Sequence, residues 1–339
     1  AMNVAQRATS ASGVGATSGY FVCDRWAIGA STSGRFSMAQ NTDSPNGFNN
    51  SLSLACTTAD TSIASTESVV LRQIIEGQNL QQFAKGSSDA KEFAVSFYVK
   101  GNASATYTCE LFDADNSRQI SKTFSVTTAW TRVTLTFPAD TTGAFADDNG
   151  ISLYFNIWLH AGSNFTSGTL NSTSWAANTN ANRVSSSQTS FLDSTSRVFY
   201  ITGIQLEVGS VTDFEHEPYS VTLSKAQRYL EVRGTDTSGW EFLADAGQLT
   251  SATTYQLAVR FNEQMRAAPT FSYTGNLSDI YLIRASNIFA STSVGAADNT
   301  NGRTILLTGN VSNTSGSAGE QTRMQTQVAG TKFFFDAEL

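Results

Sequence analysis

Apolar and polar residues alternate along several segments in the first two thirds of the chain. Between Phe93 and Val99 every second position is large and apolar, and between Trp130 and Phe137 one face is apolar while the other carries Arg and Thr. This period of two is typical of a β-strand that is buried on one face. Together with a further strand expected over residues 198–206, these segments predict an antiparallel β-sandwich.

The segment from Ile151 to His160 predicts the most regular strand of the chain. Its odd positions are all Ile, Leu or Phe, so this face belongs in a core. The opposite face carries aromatic and hydrogen-bonding side chains, namely Tyr154, Asn156, Trp158 and His160. Such a face must be covered, and a neighbouring subunit, a loop and a ligand are the three candidates. For His160 we expect a hydrogen bond at a subunit interface.

A polar segment over residues 161–197 follows this strand and is rich in Ser, Thr, Asn and Gly. It is longer than an ordinary connection, and long loops are usually functional or interfacial. One segment alone predicts a helix, residues 224–231, with Ser224 as its N-cap and Gly234 shortly beyond. Short strands are expected after it over residues 254–261, 270–274, 279–284, 304–307 and 332–335.

These patterns predict an all-β protein with two domains, an antiparallel jelly-roll β-sandwich followed by a second, smaller β domain, joined by a short helix. The expected boundaries are a lead-in segment over residues 1–14, the jelly roll over 15–220, the helix over 221–232 and the second domain over 233–339.

Composition removes several function classes. Only 14% of the residues are charged, the net charge is −7, and the chain has no Lys/Arg run, so nucleic-acid binding is not expected. No stretch of about 18 apolar residues predicts a membrane span. The chain has three cysteines without metal-binding spacing and two histidines, so we expect buried free thiols, no zinc site and no disulfide framework.

Several short segments, in their order along the chain, resemble a family of bacteriophage fibre and virion-surface proteins that carry a carbohydrate-binding-module-like jelly roll. They include Cys23–Trp26, Leu71–Gly77, Ile204–Gly209 and Ala226–Tyr229, and Met265–Pro269 and Asp336–Leu339 resemble the family's C-terminal domain. Ala226 departs from the family, where many relatives have cysteine. The resemblance implies a jelly roll with a C-terminal β domain and a virion location, on tail or capsid, after synthesis in the host cytoplasm. It also implies other virion proteins as partners, but it does not identify a ligand.

The predicted function is non-enzymatic attachment to a host surface glycan by a homotrimer, because fibres commonly have threefold symmetry and many weak sites then gain avidity. Glycan binding needs an aromatic face to stack on a sugar ring, with amide or guanidinium groups for its hydroxyls. The candidate residues are Trp158, Trp175, Asn156, Phe165 and Arg183. The alternative interpretation is that these aromatics pack between protomers.

Two other functions are considered. One is a purely architectural virion component, such as a capsid decoration or a fibre connector. The other is a polysaccharide-degrading tailspike, which needs two carboxylates facing each other across a groove. The candidates Asp113, Asp115, Asp140, Asp147 and Asp148 all lie in turn-like sequence, where Asp commonly binds its own backbone. No catalytic residue, cofactor or metal ligand is therefore assigned, and a structural calcium ion would first be sought at Asp147, Asp148 and Glu207.

Overall fold

The computed structural model describes residues 1–234, 236–285, 287–297, 301–312 and 314–339. The chain divides into two compact units, residues 1–219 and 220–338. The regular secondary structure of both units is mostly β-strand, so the all-β prediction is confirmed. None of the described helices is long and apolar enough to cross a membrane.

The first unit is an antiparallel β-sandwich of thirteen strands. In chain order these are β1 (Ser10–Val14), β2 (Gly19–Tyr20), β3 (Ala27–Ser31), β4 (Arg35–Asn41), β5 (Ser51–Thr58), β6 (Ser68–Glu76), β7 (Phe93–Gly101), β8 (Ala105–Asp113), β9 (Arg118–Val126), β10 (Thr131–Phe137), β11 (Ile151–Ala161), β12 (Ala176–Ala177) and β13 (Val198–Val208). Short 3-10 turns lie at Gly77–Asn79, Gln81–Phe83 and Asn180–Asn182, and helix α1 is Ser163–Thr166.

The strands form two sheets. One has the order β1-β4-β5-β13-β7-β10, and the other has the order β12-β9-β8-β11-β6-β3-β2. The large apolar positions of the two inner faces meet in one core. Phe97 of β7 contacts Phe155 of β11, with ring centroids 6.3 Å apart. The alternation seen in the sequence therefore places one face of β7 and one face of β11 in the same core.

The first fourteen residues belong to this sandwich and are not a separate lead-in segment. Strand β1 pairs with β4, and the side chains of Met2 and Val4 are buried. The segment Ser10–Val14 consists mostly of small residues, so it lacks the apolar alternation by which a strand is recognised. Pairing with a neighbouring strand, which the local sequence does not show, makes it a strand.

The second unit contains a closed six-stranded barrel and a three-stranded sheet. Its strands are β14 (Leu230–Gly234), β15 (Glu241–Leu249), β16 (Thr254–Arg260), β17 (Thr270–Tyr273), β18 (Tyr281–Arg284), β19 (Asn287–Ala296), β20 (Thr304–Val311), β21 (Gln321–Thr326) and β22 (Lys332–Asp336). A 3-10 turn lies at Leu277–Asp279. The barrel order is β15-β16-β20-β19-β18-β21, and β22 lies between β14 and β17. This unit has its own core, which includes Phe333 and Phe335.

The connecting helix lies earlier in the chain than the sequence predicts. Helix α2 is Tyr219–Gln227, and the last residues of the expected helix, from Leu230, begin strand β14. Strand β14 pairs with β22, and Leu230 is completely buried. Pairing with the Phe-rich strand β22 therefore overrides the local helix propensity of this segment.

Candidate functional site

The long segment between β11 and β13 folds over the outer face of the seven-stranded sheet. Its strand β12 pairs with β9 at the edge of this sheet. Its residue Val184 is fully buried against Val70 of β6 and Trp158 of β11, and the ring of Phe165 lies 5.1 Å from that of Trp158. Of the three candidate covers for this face of β11, the structure therefore shows a loop of the same chain.

A buried carboxylate organises the contact between this loop and the sheet. Glu110 of β8 is completely buried and accepts two hydrogen bonds from the Arg183 guanidinium, at 2.7 and 2.9 Å. It also accepts one from Asn156 Nδ2 at 2.9 Å and one from Trp158 Nε1 at 2.8 Å. A buried carboxylate with this many donors fixes the groups around it, because losing Arg183 would leave its charge unpaired and losing Asn156 or Trp158 would remove a hydrogen bond from a buried oxygen.

Four of the five predicted glycan-binding residues therefore come together, where they hold the loop on the sheet. Asn156 and Trp158 are 2% and 3% exposed, so neither can contact a sugar as the structure stands. Phe165 and Arg183 are half-buried and hold the loop over them. The Trp158 ring is therefore covered neither by a glycan nor by a second protomer, the two interpretations given above. A loop of the same chain covers it.

The fifth predicted residue, Trp175, lies elsewhere. It is part of the core of the sandwich, with its ring 5.4 Å from that of Phe93. Its Nε1 donates a hydrogen bond to the Pro138 carbonyl oxygen at 2.8 Å. Its position in a long polar segment gave no sign of this burial, because the contact partners are remote in sequence.

A partly exposed feature of the same sheet face was not predicted. Phe112 of β8 and Tyr154 of β11 are directly opposite each other in the ladder, with ring centroids 5.9 Å apart. The Arg72 guanidinium lies 5.5 Å from the Tyr154 ring, and the Arg183 guanidinium lies 5.0 Å from the Phe112 ring. All four side chains are half-buried. We call Arg72, Phe112, Tyr154 and Arg183 the aromatic patch.

Arg72 has an unusual environment within the aromatic patch. Its side chain forms no hydrogen bond or ion pair with any residue in the described part of the chain, and its Nε atom is buried without a partner. Burial lowers the pKa of Arg72 below its ordinary value. Gly29 makes room for it, because a Cβ at that position would lie 2.4 Å from an Arg72 terminal nitrogen. The patch thus pairs aromatic rings with a guanidinium whose donors lack protein acceptors.

The carboxylates considered for catalysis have structural partners. Asp113 and Asp140 both contact the buried Lys85 ammonium, at 2.5 and 3.1 Å. Asp140 also accepts a hydrogen bond from Arg118 Nε at 2.7 Å. Asp115 accepts a hydrogen bond from the Ala146 backbone. The first two acids are therefore neutralised inside the protein and do not face each other across an open groove.

The residues considered for calcium do not converge on an ion site. Asp148 accepts a hydrogen bond from the Gly150 backbone, as in an Asx turn, and Glu207 accepts hydrogen bonds from Thr212. Within the described ranges, the one group of three or more potential metal ligands that lie together is Asp60, Glu67 and His160. His160 is buried and bonded to Ser190 of the same chain, so it does not need a subunit interface to satisfy that nitrogen.

No protein-family model matches this chain, and no curated protein matches it. The structural class of the protein, an all-β chain with a jelly-roll sandwich and a second β unit, therefore rests on its own strand pairing.

Solved structures with some likeness to the chain include two carbohydrate-binding modules and a phage domain. A CBM4 module is 11% identical, with 61% of this chain and 99% of that chain covered and a TM-score of 0.31. A family 11 carbohydrate-binding module from Clostridium thermocellum is 11% identical, with 57% and 91% covered and a TM-score of 0.30. The enzymatically active domain of bacteriophage CBA120 tailspike protein 4 is 11% identical, with 54% of this chain and 19% of that chain covered and a TM-score of 0.30. At these values the likenesses carry no argument about function.

Proposed function

We propose that the protein is a non-enzymatic fibre or surface protein of a bacteriophage virion, which attaches to the host by binding a cell-surface glycan at the aromatic patch. The observation that carries the glycan-binding part is the half-buried Arg72, without a protein acceptor, beside the half-buried rings of Tyr154 and Phe112. A sugar ring has an apolar face that can stack on the aromatic rings of the patch. Its hydroxyl oxygens can accept hydrogen bonds from the Arg72 guanidinium.

The floor of the proposed site is rigid. Tyr154 and Phe112 lie on adjacent central strands of the seven-stranded sheet, and the Arg183 guanidinium donates a hydrogen bond to the Glu110 carboxylate. A site on sheet strands loses little conformational freedom when a ligand binds. The polysaccharide-degrading alternative has less support, since Asp113 and Asp140 are bonded to Lys85.

The test is glycan binding by a Tyr154→Ala variant. A glycan array identifies a ligand for the wild type, and titration calorimetry then compares the variants. We expect Tyr154→Ala and Arg72→Met each to weaken binding about tenfold or more, equivalent to about 1.4 kcal/mol. The matched control is Tyr200→Ala on the other sheet, where Lys100 lies 5.6 Å from the Tyr200 ring. Unchanged affinity in both patch variants, or a loss in the Tyr200 variant alone, would contradict the proposed site.

An architectural virion component is the second candidate, and the covered Trp158 favours it. The loop that buries Trp158 and Asn156 closes much of the sheet face that a ligand would otherwise reach. If the wild type binds no glycan on the array, this role becomes the better account of the fold.

The homotrimer is part of the proposal and is supported by an exposed apolar area in the second unit. Trp240 and Ile288 are 46% and 51% exposed and line one depression of about 390 Å³. Phe242, two residues after Trp240, is 48% exposed. Exposed large apolar side chains that lie together are characteristic of a protein–protein interface.

A further inference from the structure

Three potential metal ligands converge at one edge of the sandwich. Asp60 lies in the connection between β5 and β6, Glu67 immediately precedes β6, and His160 is the penultimate residue of β11. One donor atom from each lies within 4.8 Å of the other two. A bulge in the pairing of β11 with β6 occurs between Trp158 and His160, and such bulges redirect side chains.

One nitrogen of His160 has no partner although it is buried. The ring is completely buried, Nδ1 is hydrogen-bonded to Ser190 Oγ at 2.8 Å, and Nε2 has no hydrogen-bond partner among the described residues. The nearest carboxylate atom to it is Asp60 Oδ2, at 4.0 Å, which is too far for a hydrogen bond.

The two carboxylates lack a cation of the protein's own. In the part of the chain that the structure describes, neither Asp60 nor Glu67 forms an ion pair with Lys or Arg. Asp60 is only 4% exposed, so its charge is poorly solvated. Two carboxylates held close together, one of them buried, repel each other unless a shared proton or a cation lies between them.

Each of the three side chains is held by a further contact. Thr32 Oγ1 donates to Asp60 Oδ2 at 2.8 Å, and the backbone nitrogens of Ser33 and Ala64 donate to the two Glu67 oxygens at 3.1 and 2.7 Å. Ser190 holds the imidazole as described above. Outer contacts of this kind orient ligands around metal ions in proteins.

We propose that Asp60, Glu67 and His160 bind one first-row divalent cation, with Zn²⁺ as the best match to their donor atoms. Imidazole nitrogen and carboxylate oxygen both bind Zn²⁺ at about 2.0–2.2 Å, so ligand atoms around it lie about 3.4 Å apart in a tetrahedron. The observed 4.0 Å between His160 Nε2 and Asp60 Oδ2 therefore needs only a small closure. Calcium fits less well, because it takes six to eight oxygen ligands.

The ion would tie the β5–β6 connection to the end of β11. Asp60 and Glu67 bracket an exposed stretch, residues 61–66, which contributes neither a helix nor a strand. Three protein ligands would leave a fourth position around the ion for water. We assign the ion the role of holding this connection against β11, independent of glycan binding at the aromatic patch.

The test uses the full chain, stripped with a chelator and then titrated with Zn²⁺ or Co²⁺. We expect about one ion per chain by elemental analysis, a melting temperature that rises with metal concentration, and visible absorption from bound Co²⁺. His160→Gln and Asp60→Asn should abolish all three signals. Glu67→Gln, at a half-buried position that is less prone to folding defects, should weaken binding about tenfold or more. Metal-free circular dichroism of each variant checks that it is folded.

The chain offers a matched control, because its second histidine is exposed between two acids. His216 lies between Glu215 and Glu217, and His216→Gln should leave metal binding unchanged. Loss of binding in His216→Gln but not in His160→Gln would place the ion on that exposed segment and overturn the proposal. Absence of both bound metal and thermal stabilisation in the wild type would overturn it as well, and would leave water as the partner of His160 Nε2.

Discussion

At the scale of single residues, Asp140 shows how buried charge couples stability to pH. Burial alone would raise its pKa, but hydrogen bonds from Arg118, the Thr142 backbone and Lys85 outweigh burial and lower the pKa below its ordinary value. A carboxylate with a lowered pKa in the folded state stabilises the protein above its unfolded pKa of about 3.9. This stabilisation is lost as the pH falls through the folded-state pKa.

Asp140→Asn should therefore destabilise the protein by about 3 kcal/mol at pH 7, since it removes one partner of a buried ion-pair network. It should also reduce the further loss of stability between pH 5 and pH 2. Urea denaturation followed by circular dichroism across this pH range measures both effects. The exposed Asp89→Asn is the control. Parallel pH profiles for the wild type and Asp140→Asn would show that the network does not govern acid stability.

The sequence predicted which residues share the outer face of β11, but it did not predict which of them are buried. It singled out the even positions of β11, and the structure places Asn156 and Trp158 on one sheet face. Their burial depends on Glu110 and Arg183, which are 73 residues apart in the chain. Tyr154 and Arg72 are not among the predicted glycan-binding residues, because a local sequence pattern does not show which side chains of a sheet a loop leaves uncovered.

At the scale of elements, the loop between β11 and β13 depends on one carboxylate. Glu110→Gln would leave the Arg183 guanidinium without its charged partner in a buried setting. We expect a loss of about 3 kcal/mol in the free energy of unfolding. Hydrogen exchange should accelerate first at the Val184 amide, which bonds to the Phe165 carbonyl oxygen within the loop.

Denaturation and hydrogen-exchange mass spectrometry measure these two effects, with the exposed Glu92→Gln as the control. If Glu110→Gln changes neither by more than the control does, then apolar packing of Trp158, Phe165 and Val184 holds the loop without the ion pair.

The strands that were expected from a period of two are present, but other strands were not expected, including β5, whose sequence Ser-Leu-Ser-Leu-Ala-Cys-Thr-Thr also alternates. Strands β7, β10, β11 and β13 were expected within two residues of their observed ends. Strands β15, β19 and β21 were missed, although each belongs to the barrel of the second unit. Strand β21 is Gln-Thr-Arg-Met-Gln-Thr, with a single large apolar residue, so its place in the barrel comes from pairing with β15 and β18.

At the scale of the whole molecule, the proposed trimer and the proposed glycan site involve different units of the chain. The aromatic patch lies in the first unit, and the exposed area around Trp240 lies in the second. A weak site gains avidity when several copies act together, by a factor of about 10²–10⁴. Attachment should therefore depend on residues that never touch the glycan.

Light scattering should give a mass of three times the 36.3 kDa chain. A Trp240→Ser, Ile288→Ser variant should shift this mass to that of one chain, because it removes the exposed apolar surface that would be buried between protomers. The control is Ile63→Ser, which changes an exposed apolar residue of the first unit, 41% exposed. Binding to a dense glycan surface should then fall by about 10²-fold or more, while the affinity of each chain for free glycan stays constant.

A wild type that is monomeric at micromolar concentration would refute the trimer. Equal surface binding by the monomeric variant and the wild-type protein would show that attachment does not rely on avidity.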